Sequence, residues 1–168
     1  EPRIFHDTRG YFYESYNQQK MSELGIDTIF VQDNQSYSQK GVIRGLHFQR
    51  PPFAQAKLVR VIKGKVLDVA VDIRKGSPTY GQHYSVLLTG DNHRQFLIPE
   101  GFAHGFVALE DNSIFTYKCS QFYHKEAEMS IRYNDPILNI DWGLDKAPIM
   151  TEKDLCGVLF DQFNTPFE

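Results

Sequence analysis

The sequence has little cysteine and no long apolar run. Two cysteines among 168 residues are too few for a disulfide framework, and they lack the Cys-x-x-Cys spacing of metal sites. A reducing, cytoplasmic location is therefore expected. No stretch approaches the ~20 apolar residues that cross a bilayer, and the first six residues lack the apolar core of a signal peptide. We expect a soluble protein with no membrane association.

The sequence also lacks an excess of charge of one sign. Eighteen basic and 21 acidic residues are interspersed and give a net charge of −3. No basic face is available to neutralise a phosphate backbone, so nucleic acid is not an expected partner. With 41% hydrophobic residues and no linker-like segment, residues 1–168 are expected to form a single domain with a full core.

Alternation of apolar and polar residues predicts strands. In residues 65–74, Leu67, Val69, Val71 and Ile73 fall on one face and Asp68, Ala70 and Asp72 on the other, which predicts a half-buried strand. Similar runs occur at 57–62, 84–89, 95–99, 102–109 and 113–120, separated by glycine- and asparagine-rich turns. Many short strands indicate an all-β sandwich or barrel. Short helices are expected at 17–24 and at 151–154, and the tail from about 143 is expected to wrap the barrel.

Two isolated histidines lie in glycine-containing, strand-like runs, His47 in residues 41–49 and His104 in residues 99–106. A lone histidine is more often structural than functional. Two histidines in similar settings predict that two separate strands contribute side chains to one pocket of a barrel. Alternation places His47 opposite the apolar Leu46 and Phe48, and it places Arg44 on the apolar side unless Gly45 hosts a bulge that re-aims it.

Other candidate residues have ordinary interpretations when taken alone. Lys57 begins a strand and is typical of a solvated strand end, and Asp154 is typical of an exposed acid at a helix start. Tyr117 and Tyr123 share a face if their strand is regular, but six residues at ~3.3 Å each separate them by roughly 20 Å. They therefore reach one pocket only if the chain turns between them.

The two histidine motifs resemble those of the cupin barrels. Cupin metal sites usually have a second histidine two residues after the first and a glutamate further along. Here the second position is Gln49, and residues 47–63 contain no acid. Because divalent metals need carboxylate, imidazole or thiolate ligands, we expect no functional metal.

Motifs along nearly the whole chain resemble the dTDP-4-dehydrorhamnose 3,5-epimerase family. In chain order they are Phe5-x-Asp7-x-Arg9-Gly10-x-Phe12-x-Glu14, Gln32-x-Asn34-x-Ser36-x-Ser38, Arg44-Gly-Leu-His47-Phe-Gln49, Gln55-Ala-Lys57, Asp68-Val-Ala-Val-Asp72, Gly76-Ser-Pro-Thr-Tyr-Gly81, Pro99-x-Gly-Phe-Ala-His104, Tyr117-Lys, Asn134-Asp135-Pro and Thr151-Glu-Lys-Asp154. The match begins inside the family pattern, and a short first strand is expected to precede Glu1.

The resemblance implies a cupin-type double-stranded β-helix (jelly-roll) barrel with short peripheral helices. It implies a homodimer, with N-terminal strand exchange expected, that acts without a cofactor on a dTDP-linked 4-keto-6-deoxy sugar. The implied reaction converts dTDP-4-dehydro-6-deoxy-D-glucose to dTDP-4-dehydro-L-rhamnose. His47 matches the general base, Asp154 its dyad partner and Tyr117 the general acid. Tyr123 matches a tyrosine linked to how far epimerisation proceeds. The matched substrate contacts are Arg9, Phe12, Glu14, Gln32, Asn34, Arg44, Lys57, His104, Tyr123, Glu128 and Lys153.

The chemistry of this reaction suits these residues. A C4 ketone acidifies the hydrogens on C3 and C5, so inversion needs a base on one face and an acid on the other. An imidazole is a suitable base, a cationic Lys57 would stabilise the enolate, and Arg44 and Lys153 would bind the diphosphate. If His47 and Asp154 form the dyad, their side chains should lie about 2.6–3.2 Å apart, with Tyr117 across the same cavity.

Other functions remain open at this stage. A 3-epimerase would invert C3 alone, and a sugar-nucleotide 3,4-ketoisomerase would use a similar barrel. A non-catalytic sugar-nucleotide-binding cupin and a metal-dependent cupin oxygenase belong to different classes. Deuterium exchange, the effect of His47→Ala and the metal content would separate them.

Overall fold

A computed structural model describes residues 1–168, which form eleven short strands and two short helices. The strands are Phe5–Asp7 (β1), Gly10–Phe12 (β2), Gln32–Ser38 (β3), Ile43–Gln49 (β4), Lys57–Lys63 (β5), Lys65–Asp72 (β6), His83–Thr89 (β7), Gln95–Ile98 (β8), Phe102–Ala108 (β9), Ser113–Cys119 (β10) and Glu128–Ser130 (β11). The helices are Gln18–Glu23 (α1) and Glu152–Leu155 (α2). Neither helix has the length and apolar character needed to cross a membrane.

The strands form two antiparallel sheets and one exposed hairpin. One sheet has the order β3-β10-β5-β8, the other has the order β11-β4-β9-β6-β7, and β1 pairs with β2. The two sheets face each other across a buried cluster that draws residues from both: Val59, Val61, Val66, Ala70, Leu88, Ile98, Phe106 and Phe115. The predicted all-β, jelly-roll architecture is confirmed.

Strand β6 is covered on both faces, so the prediction that residues 65–74 form a half-buried strand is wrong. Ala70 faces the interior of the barrel, while Val69 and Val71 belong to a second cluster on the outer face. That outer cluster is completed by Trp142, Phe160 and other residues of the C-terminal tail. The tail wraps the barrel as predicted. Its cover explains why β6 has no solvent-facing side.

Glycine allows β4 and β9 to approach closely at Gly45, the position where the sequence left a bulge open. The pairing register shifts between Arg44 and His47, and Gly45 has a φ of +126°. A Cβ at Gly45 would lie 2.5 Å from the Gly105 Cα. Just before the shift, Arg44 donates hydrogen bonds to Ser38 Oγ and to the Tyr37 carbonyl, each at 3.2 Å. Of the two alternatives for Arg44, the structure therefore shows the one in which a bulge turns it towards the opposite sheet.

Candidate active site

His47 and His104 are direct neighbours on adjacent strands. They are paired in the antiparallel register of β4 and β9. Side chains of residues paired in this way lie on the same face of a sheet. Both imidazoles therefore belong to the inner face of the five-stranded sheet. The prediction that both furnish one pocket holds for His47 alone, because His104 is not among the residues that line the cavity.

Asp154 is hydrogen-bonded to His47. The His47 Nε2 lies 2.7 Å from the Asp154 Oδ1, within the expected range. The hydroxyl of Thr151, the N-cap of α2, accepts a hydrogen bond from the Asp154 N–H and fixes the turn that carries this carboxylate. Burial alone would raise the pKa of Asp154, but the His47 hydrogen bond and charge, the Gly45 N–H and the Lys153 charge together outweigh it, and the pKa is lowered. The carboxylate stays ionised beside the imidazole.

Lys57 and Tyr117 lie on the opposite, four-stranded sheet. Lys57 is paired with Cys119 and Tyr117 with Val59 in the register of β5 and β10. The Lys57 Nζ lies 6.0 Å from the centre of the Tyr117 ring. Burial lowers the pKa of Lys57, an effect that nearby Asp68 and other acidic groups partly oppose. Lys57 is therefore a buried, inward-facing amine, not a solvated strand end.

Tyr117 is held in its protonated form. Burial is the main cause that raises the pKa of its phenol, while the Arg44 charge and a hydrogen bond with the Asn34 side chain oppose the rise. A phenol with a raised pKa is a proton donor at neutral pH rather than a base. The arrangement therefore places an acid on the sheet opposite His47.

A cavity of about 120 Å³ lies between these groups. It is lined by Gln32, Asn34, His47, Phe48, Gln49, Gln55, Lys57, Tyr117, Tyr123 and Glu128. Tyr117 and Tyr123 both reach it because β10 ends at Cys119 and the chain turns before Tyr123. The separation expected for a regular strand does not apply.

Glu128 connects two residues at the edge of this cavity. Its Oε2 accepts a hydrogen bond from the Tyr123 hydroxyl at 2.8 Å and forms a 2.5 Å ion pair with the Lys153 Nζ. Burial opposes ionisation of Glu128, but the Lys153 and Tyr123 contacts outweigh it and lower its pKa. Glu128 is therefore an anion that joins the chain after β10 to the helix that carries Asp154.

His104 does not line the cavity, because it is buried against Asp68. Its Nε2 lies 3.0 and 2.9 Å from the two Asp68 carboxylate oxygens, and the Asp68 side chain is fully buried. Burial lowers the pKa of His104, and Asp68 offsets part of this effect. Asp68 is a residue that sequence reasoning assigned no role. The available signal was an acid between apolar neighbours in β6.

Three residues matched to substrate contacts lie elsewhere in this chain. Arg9 pairs with Asp7 at 2.6 Å, Glu14 pairs with Lys20, and Phe12 is 67% exposed. None of the three lines the cavity beside His47. The single chain therefore brings together the acid–base candidates and several polar substrate contacts. The three N-terminal contacts lie outside the cavity.

A larger cavity of about 320 Å³ lies along outward-facing residues of β3 and β10 that include Asp33 and Thr116. We place the site in the smaller cavity because only there does a hydrogen-bonded imidazole face a phenol. No group of three or more His, Cys, Asp or Glu side chains is arranged to share a metal ion.

The sequence matches the family model described as dTDP-4-dehydrorhamnose 3,5-epimerase over residues 1–162. A protein of that name from Salmonella typhimurium is 53% identical over 163 residues, which cover 96% of this chain and 89% of that protein. A protein of the same name from Pseudomonas aeruginosa is also 53% identical and is covered over 88% of its length, with 95% of this chain aligned.

Solved structures agree with the sequence matches. A dTDP-6-deoxy-D-glucose-3,5-epimerase from Legionella pneumophila, in complex with dTDP-4-keto-L-rhamnose, has a TM-score of 0.94 and 53% identity over 98% of this chain and 87% of that one. A 3′-monoepimerase from Streptomyces bikiniensis, in complex with dTDP-quinovose, has a TM-score of 0.90 and 31% identity over 96% of this chain and 82% of that one.

Proposed function

The chain belongs to the dTDP-4-dehydrorhamnose 3,5-epimerase family, and we propose that it inverts C3 and C5 of a dTDP-linked 4-keto-6-deoxyhexose. It is an isomerase of the epimerase class that converts dTDP-4-dehydro-6-deoxy-D-glucose to dTDP-4-dehydro-L-rhamnose. One observation carries the assignment of roles. A histidine bonded to a buried carboxylate and a protonated tyrosine line one cavity from opposite sheets.

His47 acts as the base. It removes the proton from C3 or C5, and the electrons of that C–H bond move into an enolate on the C4 oxygen. Asp154 orients the imidazole and stabilises the imidazolium that forms. Tyr117 then donates its proton to the opposite face of the carbon, and the electrons return from the enolate. To restore the resting enzyme, His47 releases the proton it gained to solvent, and the Tyr117 phenolate takes up a proton from solvent.

Lys57 stabilises the enolate. Its ammonium group is buried near Tyr117. A fixed charge in a site that excludes water stabilises a developing oxyanion more than it would in bulk water. The diphosphate is bound by Arg44 and Lys153, because guanidinium and ammonium groups form charge-assisted hydrogen bonds with phosphate oxygens. Gln32, Asn34, Tyr123 and Glu128 contact the nucleotide sugar. His104 matches a further substrate contact, but it lies behind the cavity wall and acts there by supporting the wall next to His47.

The protein acts as a homodimer in which each N-terminal segment reaches the partner's site. The position of Arg9, Phe12 and Glu14, outside the cavity of their own chain, supports this proposal. Every residue of the hairpin of β1 and β2 is exposed, which leaves its surface available to a second copy. Residues 1–168 act as a single domain, and the two unpaired cysteines favour a cytoplasmic location.

The test is isotopic. The protein is incubated with dTDP-4-dehydro-6-deoxy-D-glucose in deuterated water, and the sugar is analysed by NMR. Exchange at both C3 and C5, with dTDP-4-dehydro-L-rhamnose as the product, is expected. Deuterium at C3 alone would identify a 3-epimerase, and no deuterium at either carbon from folded protein would refute the proposed function.

A further inference from the structure

Gln49 occupies the position where metal-binding cupins place a second histidine, and it is almost fully buried. It follows His47 by two residues on β4, lines the same cavity and is 3% exposed. A buried side-chain amide must satisfy two donors and one acceptor. The partners it uses therefore indicate what the residue does.

All partners of the Gln49 side chain are backbone groups of two loops. Its Nε2 donates to the Phe53 carbonyl at 2.7 Å and to the Phe122 carbonyl at 3.1 Å. Its Oε1 accepts a hydrogen bond from the His124 N–H at 2.7 Å. Gln49 thus joins the strand that carries His47 to the loop after β4 and to the turn after β10.

The two bonds to the turn after β10 flank Tyr123. Gln49 holds the backbone of the residue before Tyr123 and of the residue after it, and the Gln32 Oε1 accepts a hydrogen bond from the Tyr123 N–H at 2.9 Å. The Tyr123 side chain is 54% exposed, and its hydroxyl contacts Glu128. The backbone clamp, more than packing, therefore fixes where Tyr123 lies in the cavity wall.

We infer that Gln49 is a positioning residue for Tyr123, acting through the backbone on both sides of it. A side-chain amide is the group the geometry requires, because the partners are two carbonyl oxygens and one N–H. A carboxylate has no donor for the carbonyls, and an apolar side chain satisfies none of the three. The inference deepens the proposed function and rests on it, since Tyr123 is taken to contact the substrate.

A double-mutant cycle tests whether Gln49 acts through Tyr123. In the wild-type background, Gln49→Met is expected to lower kcat/KM by about 10²-fold, the scale of a 1 Å misplacement in a site. In a Tyr123→Ala background the same substitution is expected to cause no further loss, because the positioned ring is already absent. An equal loss in both backgrounds would overturn the inference.

A second variant keeps the inference testable if the methionine variant does not fold. Gln49→Glu preserves size, and its carboxyl regains one donor when protonated. Burial beside two carbonyls favours the neutral form and raises the pKa of that carboxyl. The ratio of its kcat/KM to that of the wild type is therefore expected to rise as pH falls. A flat ratio from folded protein would contradict the positioning role.

Asn92 provides a matched control outside the cavity. Its side-chain amide also makes three bonds to backbone groups of one turn, at 3.1 Å to each of the Thr89 and Arg94 N–H groups and at 3.0 Å to the Leu87 carbonyl. Asn92→Leu is expected to lower Tm and leave kcat/KM unchanged. If the wild-type protein exchanges deuterium and the Gln49→Met variant is as active as the wild type, this inference is wrong but the proposed function stands. If the wild-type protein itself shows no exchange, the proposed function is wrong.

Discussion

Two imidazole–carboxylate pairs lie side by side in this barrel, and burial separates their roles. The His47 side chain is 29% exposed and lines the cavity, whereas the His104 side chain is 7% exposed and lies against Asp68 behind it. A base must reach the proton that it removes. Of the two histidines, His47 meets this requirement. His104 and Asp68 form a buried polar pair behind the cavity wall, next to His47.

Asp154→Asn tests the dyad at the scale of one residue. The amide keeps the shape of the side chain but does not stabilise an imidazolium. We expect kcat to fall by about 10²–10⁴-fold, the usual contribution of a positioned acid–base group. Steady-state kinetics check this, with Asp111→Asn as a control, because Asp111 accepts a backbone hydrogen bond from Lys40 in a remote loop. An unchanged kcat would remove Asp154 from the mechanism.

Sequence reasoning at this scale depended on the family motifs and failed where burial decided. His47, Tyr117 and Asp154 were identified through the family resemblance. Considered singly, Lys57 and Asp154 were more typical of solvated surface residues, yet both are buried. The sequence did not predict a role for Asp68, because its partner His104 lies 36 positions away in the chain. Pairings of this kind become visible only once the register of β6 and β9 is known.

At the scale of elements, the close contact of β4 with β9 positions His47. A Cβ on Gly45 would meet the Gly105 Cα at 2.5 Å and the His104 carbonyl at 2.7 Å. Backbone atoms cannot give way as a flexible side chain can. Any larger residue at this position must separate the two strands that carry the histidines.

Gly45→Ala is therefore expected to reduce both stability and activity. A φ of +126° is a conformation that L side chains rarely adopt and costs about 1–3 kcal/mol, and strand separation adds to it. Gly143→Ala is the control, because Gly143 also has a positive φ, at +64°, but a Cβ there would meet nothing within 4 Å. Thermal unfolding and kcat/KM are measured for both. Equal effects on the two variants would show that the close approach at Gly45 is unimportant.

Apolar alternation predicted some strands better than others. It located β5 to β10 because their inward faces are apolar. It did not predict β3, whose inward side chains at positions 32, 34, 36 and 38 are all polar. It also predicted β6 as half-buried, since the pattern carries no information about the C-terminal tail that covers the outer face. A local pattern of apolar residues cannot predict strands that line a polar site or faces that distant segments cover.

At the scale of the whole molecule, the N-terminal segment has no role in its own cavity. Arg9 is exposed and pairs with a neighbour two residues away. If the segment serves a partner's site, each complete site combines the body of one subunit with the arm of the other. Exchange of an identical element between protomers is a common route to dimers.

Mixing two inactive variants tests this arrangement. His47→Asn disables a subunit's body and Arg9→Ala disables its arm. If arms are exchanged, a mixed dimer contains one intact site and one doubly defective site, and random re-association restores about a quarter of wild-type activity. If each arm serves its own body, no mixed dimer contains an intact site and the mixture stays inactive. Co-expression with two affinity tags isolates the mixed species for assay.

The central claim is that His47 and Tyr117 act on opposite faces of the same carbon. The most direct test is the deuterium experiment on Tyr117→Phe and His47→Asn. With Tyr117→Phe, His47 still removes and returns a proton on its own face, so we expect deuterium in the substrate without inversion. With His47→Asn we expect neither exchange nor inversion. Inversion by Tyr117→Phe at the wild-type rate, or exchange by His47→Asn, would contradict the account.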